Sequence, residues 1–378
     1  MLERQVEVGP ASPLRARATL WRQWLFESAL PVWAKNGVTP EGGFFDRLAL
    51  DATPVLLPLR LRVQARQTFV FAEAGRLGWA GDWRTPLIGG LRFLLDRAQL
   101  SDGLVAHLFS LDGHVTDARP DFYDQSFALL AFAGAFARLG DERARRAAYA
   151  LLDGLEQYRA PRGGFKEMRS EADAVLMANP HMHLLEACLA WSAIDDDPRW
   201  ATLCDELSEL CANRLVTHLG ALRELFDDNW EILPTAAGDE TEPGHYYEWA
   251  WLLLRHGDHR ELATRLAERA EGVGVDIRRN VVVNTVDVHG RLLNAGARLW
   301  PQTERLKAAL ALRAVDERWT ERAVQAVDSW RHFTDPVLPG LWLDRMRADG
   351  SLHHEPVLAS SFYHLVGGIA HLLDTVAP

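Results

Sequence analysis

Six times along this chain a glycine, followed in five cases by an aromatic or aliphatic residue, interrupts a run of helix-like sequence. The turns lie at Gly43-Phe44, Gly103-Leu104, Gly164-Phe165, Gly220-Ala221, Gly290-Arg291 and Gly340-Leu341. Glycine-led turns punctuate chains because glycine reaches backbone conformations that other residues avoid. Between them apolar residues recur at helical spacing, as with Leu14, Ala18, Trp21, Leu25 and Ala29 in the first stretch. The pattern predicts helices over 12–33, 60–77, 86–98, 121–139, 141–158, 178–194, 198–216, 244–256, 261–273, 300–314, 317–333 and 360–374. The loose period of about 50 to 70 residues, with two helices and one short extended segment per unit, marks a repeat architecture. Six helical hairpins are too many for a bundle and suit a closed ring. The predicted fold is all-α, an (α/α)6 barrel with inner and outer helix rings and short β-hairpins in its loops. Its long loops are expected to gather at one end and carry function. No Pro/Ser-rich linker divides the 378 residues, so residues 1–378 read as one catalytic domain.

Composition narrows the function. A net charge of −11 with no basic stripe argues against a nucleic-acid partner. No uninterrupted apolar run approaches the roughly 18 residues of a membrane span. The start Met1-Leu2-Glu3-Arg4 lacks the basic-then-apolar pattern of a secretion signal. Cys188, Cys204 and Cys211 are odd in number and sit in apolar helical stretches, which predicts buried free thiols in a reducing compartment. A soluble, cytoplasmic monomer or homodimer is expected. Fourteen tryptophans offer core filling and sugar-stacking faces alike.

Four loci stand out chemically. Arg66 falls among apolar neighbours, and a buried guanidinium must meet an anion or several hydroxyls; its plain alternative is a helix-surface arginine. In Asn179-Pro180-His181-Met182-His183, Asn179 and Pro180 mark a helix start. The His-x-His pair suggests a metal, but no third ligand at zinc-like spacing lies nearby. His183 is the favoured member, because Asn179 and His183 share one face at i, i+4. In Glu242-Pro243-Gly244-His245-Tyr246-Tyr247-Glu248, His245 and Glu248 share a face at i, i+3. A carboxylate on one ring nitrogen fixes the tautomer and frees the other nitrogen for proton transfer. His364 sits in the first turns of an apolar helix, where a lone histidine is also an ordinary core residue. His353-His354-Glu355 upstream reads as solvated or gate-forming loop. The three histidines each lie near the start of the first helix of a separate unit, so a ring brings them to one cleft. With Arg66 and Glu248 they resemble a metal-free proton-transfer site that needs no cofactor.

The stretches Gln64–Gln67, Asn179–Ala187, Glu242–Leu254, Arg298–Glu304 and Ser361–His364 resemble the N-acylglucosamine 2-epimerase superfamily. That group includes aldose–ketose isomerases and cellobiose 2-epimerases. The Pro-Gly-His-x-x-Glu-Trp and Arg-Leu-Trp-Pro-Gln-Thr-Glu forms look most like its D-mannose isomerase branch. The resemblance implies the same (α/α)6 barrel, with His245 and His364 as the acid/base pair and His183 as a binding or ring-opening helper. It further implies Glu248 as the carboxylate orienting His245, Arg66 as the group that steadies an enediolate, and Tyr123, Asn179 and Trp300 as sugar contacts. Some relatives carry an arginine shortly before the His-x-x-Glu helix. Residues 236–241 here have none and are acidic, which favours a neutral monosaccharide over an anionic one. A 2-epimerase would use the same histidines. Two other readings stand beside these: a glycoside hydrolase using two carboxylates among Asp124, Asp227 and Asp228, and a non-catalytic sugar-binding or partner-regulating protein.

Overall fold

A computed structural model describes residues 13–168 and 175–376; the start of the first predicted helix at Ser12, and Met1 to Arg4, lie outside them. Among the described residues twelve main helices alternate between two layers. The outer ones are α1 (Pro13–Trp24), α3 (Arg84–Phe93), α5 (Glu142–Leu155), α7 (Pro198–Leu210), α9 (Arg260–Val273) and α11 (Arg318–Ser329). The inner ones are α2 (Leu61–Arg76), α4 (Phe122–Leu139), α6 (Ala178–Ser192), α8 (Pro243–His256), α10 (Leu299–Leu312) and α12 (Phe362–Val376). Each inner helix packs on the next, and α12 closes the ring against α2. The (α/α)6 barrel expected from the repeat is therefore the fold.

Local chemistry sets the helix ends. Asp121, Asp141 and Asp197 cap α4, α5 and α7 by accepting backbone N–H groups of the first turn. Inner-to-outer connections are tight: α4 ends on left-handed Gly140 and α5 starts two residues later. Outer-to-inner connections are long and carry all the strands. Leu59–Arg60, Leu176–Met177 and Val357–Leu358 lie just before α2, α6 and α12. The largest sheet runs in the order β5 (Arg345–Met346), β4 (Leu292–Arg298), β3 (Val281–Asp287), β1 (Glu240–Thr241), with β2 (Val275–Asp276) also on β3. All of this sits over the N-terminal ends of the inner helices.

The repeat is more regular than the glycines suggested. Its left-handed residues are Gly42, Gly103, Gly163, Gly220, Asn280 and Gly340, 57 to 61 residues apart. The fifth turn was expected at Gly290, but Gly290 forms the β3–β4 hairpin tip. Asn280, at φ 51°, takes the glycine's place because asparagine tolerates this conformation better than most residues. The fourth residue of three inner helices, a glutamine each time, anchors such a turn. Gln64 binds both backbone groups of Phe44, Gln125 those of Val105 and Gln302 those of Val282. Such bonds satisfy buried backbone that would otherwise cost about 1–3 kcal/mol per group.

Most tryptophans cement the two layers. Trp191 of α6 stacks on Trp200 of α7 at 5.0 Å, and Trp33 on Trp342 at 5.1 Å. The three cysteines are buried and free. Among the described residues no helix is long and apolar enough to cross a membrane.

Candidate active site

The sixth residues of α2, α4, α6, α8 and α10 are Arg66, Phe127, His183, Glu248 and Glu304. His364, six residues into the segment that begins with the Ala359–Ser361 turn, completes the ring from α12. One turn nearer the mouth stand Tyr123, Asn179 and Trp300, each the second residue of its helix. They enclose a cavity of about 240 Å³, and all eight residues singled out in the sequence line it.

His245, the third residue of α8, is 6% exposed. Its Nδ1 donates to Glu224 Oε1 at 2.9 Å. Glu248, the expected orienting carboxylate, is not its partner. From one turn deeper Glu248 points into the bore, with Oε1 3.7 Å from His183 Nδ1. The side chain of His245 leans instead toward the loop before α8, where Glu224 precedes the strand Leu225–Phe226. Burial alone would push His245 down, but the carboxylates of Glu224 and Glu242 carry it up to about 9. At neutral pH it is an imidazolium.

His364 is the opposite case. Its Nδ1 lies at hydrogen-bond distance, 2.8 Å, from Glu304 Oε1. Burial and the nearby charges of Arg66 and Lys307 hold it well below the usual histidine range, so the ring is neutral. Among the described residues its Nε2 has no protein partner. His183 is also neutral, lowered to about 4 by burial despite Glu186 at 3.4 Å from Nδ1. The indole of Trp300 packs against both histidine rings, with centroids 5.1 Å from His245 and 5.5 Å from His364.

Arg66 is 6% exposed and donates to the Tyr123 hydroxyl and, at 3.3 Å, to the Ser360 carbonyl. Phe127 lies under its guanidinium at 4.1 Å. Among the described residues no carboxylate neutralises it, so its charge is available to the cavity. Asn179 leaves its buried Oδ1 unpartnered there. The other arginines lining the cavity are paired: Arg298 with Glu242, and Arg345 with Glu355 in a two-pronged contact. Glu355 thus serves as Arg345's counter-ion at the mouth.

His181 is not the second half of a metal pair. Its Nδ1 donates to the Met177 carbonyl at 2.7 Å and its Nε2 accepts Phe165 N–H at 2.9 Å. It does for the third turn what glutamines do for three others. His107, Asp121 and Asp124 also cluster within 4.8 Å of one another, but the Arg62 guanidinium already sits against both carboxylates. The three carboxylates named for a hydrolase, Asp124, Asp227 and Asp228, are not among the residues that line this cavity. Asp124 is spent on His107 and Arg62, while Asp227 and Asp228 bond within their own hairpin turn.

Sequence reasoning missed Glu224, Glu186 and Lys307, and quoted Glu304 without giving it a role. A signal for Glu224 exists. Four residues beyond the left-handed turn residue come Asp46, His107, Glu167, Glu224, Asn284 and Asp344. Side-chain contacts join Asp46 to Arg60, His107 to Asp124, Glu224 to His245, Asn284 to Arg298, and Asp344 to Ser361.

Solved structures with this fold include the cellobiose 2-epimerase of Bacillus thermoamylovorans B4167, at TM-score 0.86 and 18% identity over 96% of this chain and all of that one. A D-mannose isomerase structure matches at TM-score 0.84 and 21% identity, over 98% of this chain and 100% of its own. In sequence, the mannose-6-phosphate isomerase of Rhizobium meliloti (strain 1021) is 40% identical over 369 residues, 93% of this chain and 95% of that protein. The protein is an enzyme of the sugar isomerase and epimerase class. It belongs to the N-acylglucosamine 2-epimerase (GlcNAc 2-epimerase) family, whose pattern matches residues 43–368.

Proposed function

We propose that the enzyme interconverts D-mannose and D-fructose through a cis-enediol, with D-lyxose and D-xylulose as smaller substrates of the same shape. The observation that carries this reading is a pair of histidines flanking one cavity, each with Nδ1 on a carboxylate, whose surroundings draw their pKa values in opposite directions. His364 offers a bare Nε2 as base, and His245 is held as an imidazolium. A base and an acid tuned apart in this way are what proton transfer next to a carbonyl requires. In the open-chain aldose His364 takes the C2 proton, the C2 electron pair forms the C1–C2 double bond, and His245 protonates O1. His245 then accepts the O2 proton as C2 becomes the carbonyl, and His364 returns its proton to C1. Arg66, lacking a counter-ion, meets the negative charge that develops on the enediolate oxygen. The cavity holds roughly eight waters at ~30 Å³ each, the scale of one monosaccharide.

A second reading, a phosphorylated mannose, is favoured by the name of the Rhizobium relative. Against it, Arg298 and Arg345 at the mouth are each already neutralised, so a phosphate there would face Glu242 and Glu355 as well. Measuring kcat/KM on D-mannose and on mannose 6-phosphate separates the two. The proposal expects at least about 100-fold preference for the free sugar, equivalent to ~2.7 kcal/mol. Preference for the phosphate ester would sink it. A 2-epimerase on the same site would return the proton to C2 and yield glucose.

A further inference from the structure

A second cavity of about 380 Å³ lies at the far end of the barrel, and Lys307 lines that cavity, not the first. It is 2% exposed, and the reaction described above gives it no part. A lysine this deep needs a reason. Its ammonium lies 2.6 Å from Glu304 Oε2 and 3.7 Å over the Trp251 ring. Glu304 in turn spends Oε1 on His364 Nδ1, with the Thr303 hydroxyl at 3.3 Å from the same oxygen. Lys307 is thus one residue removed from the base of the reaction.

The wider surroundings are crowded with ionisable groups. Glu186 faces Lys307 from α6, and Glu248 faces it from α8. Arg255 and Trp251 share the far cavity with it from α8, His371, Tyr363 and Asp374 from α12, and Glu73 and Arg76 from α2; α4 contributes only apolar groups there. Each buried carboxylate has a different supply of donors. Glu186 has Tyr363, with His183 nearby. Glu248 leaves Oε1 without one. Glu304 has the Lys307 ammonium as an ion-pair partner for its second oxygen, at 2.6 Å without hydrogen-bond alignment.

We propose that Lys307 is a positioning residue that selects the tautomer of His364. By holding Glu304 as a carboxylate, its ammonium obliges Glu304 to accept the Nδ1 hydrogen and leaves Nε2 bare toward the sugar. A protonated Glu304 would reverse the bond, donating to Nδ1 and moving the ring hydrogen to Nε2, where the ring can take no proton from C2. Burial leaves Glu304 above the ordinary carboxylate range, and the charge of Lys307 is the foremost influence drawing it back down.

The inference rests on His364 being the base, but its test does not require turnover. In the full chain with 15N-labelled histidine, the His364 resonances are assigned by their loss in His364→Gln. The wild type is expected to show the Nδ1–H tautomer at pH 7.5. Lys307→Met is expected to show Nε2–H at that pH and to revert as the pH is raised. An unchanged Nδ1–H tautomer in Lys307→Met overturns the proposal. Should that variant not fold, Glu304→Gln, whose amide donates to Nδ1, must show Nε2–H, and Nδ1–H there is equally fatal. In kinetics, kcat of Lys307→Met should fall at least about 100-fold at pH 7, with KM within about threefold, and recover toward alkaline pH. A loss that is the same at every pH contradicts the proposal. If the wild type turns over no sugar, the functional reading fails, while the tautomer measurement still decides the role of Lys307.

Discussion

Oε1 of Glu224 lies 2.9 Å from Nδ1 of His245, joining residues 21 apart on successive hairpins of the ring. This contact is the main specific support for an imidazolium at His245, whose pKa is lifted to about 9. Glu224→Gln removes the charge and keeps the shape. The alkaline limb of the kcat/KM profile, which reports loss of the His245 proton, should then move down by at least about one pH unit. Linkage gives the same contact a stability signature. A histidine with a raised folded-state pKa contributes fully below its unfolded value of 6.5 and loses that contribution as pH rises through about 9. Wild-type stability should therefore fall over that window relative to Glu224→Gln, read by denaturant midpoints at pH 6 and pH 9.5. An alkaline limb that does not move would remove Glu224 from this role.

His181 should be replaceable by the residue its sister turns use. In His181→Gln the amide can meet Phe165 N–H and the Met177 carbonyl, as Gln125 and Gln302 do at their turns. Stability at pH 7 should stay within about 1 kcal/mol of wild type. His181 is buried and lowered to about 4, so the unfolded chain binds its proton first as pH falls through 6.5. Wild type should lose up to ~3 kcal/mol on this account between pH 6.5 and 4. The variant should not, and would become the more stable protein below about pH 5.5. Equal acid sensitivity in both would show that His181 is protonated in the fold.

Gly244 is small because of a neighbour, not because of its backbone. A Cβ added there would lie 2.5 Å from Trp300 Cη2 and 3.0 Å from Pro301 Cβ. Gly244→Ala should push the indole away from the two histidines. The expected cost is about 1–3 kcal/mol in stability with KM for the sugar raised roughly tenfold, equivalent to ~1.4 kcal/mol of binding. A calorimetric titration with a non-reacting sugar alcohol checks the binding part. Unchanged affinity would mean that Trp300 is not a sugar contact.

The helix pairs were legible because each carries its apolar period and several are bounded by a glycine or an aspartate cap, which are local features. The fifth turn was misplaced at Gly290 because Asn280 stands in for the repeat's glycine, while a nearby hairpin supplies a decoy. The cavity-lining histidines were legible from their place near helix starts. Their partners were harder to see. Glu248 looked like the partner of His245 because i, i+3 neighbours share a helix face, yet closing the ring turns Glu248 toward His183 and brings Glu224 to His245 from another hairpin. Glu304 and Lys307 sit in what reads as an ordinary amphipathic helix. Only the ring shows that both point into the bore.

The central claim is that His364 moves a proton between C2 and C1 of mannose while His245 serves the oxygens. Incubating D-mannose with the enzyme in D2O and reading the product by NMR tests it most directly. The account predicts fructose carrying deuterium at C1 to the extent that the proton on His364 exchanges with solvent, and loss of at least about 1,000-fold in rate for His364→Ala. Glucose labelled at C2, or turnover undiminished in His364→Ala, would contradict it.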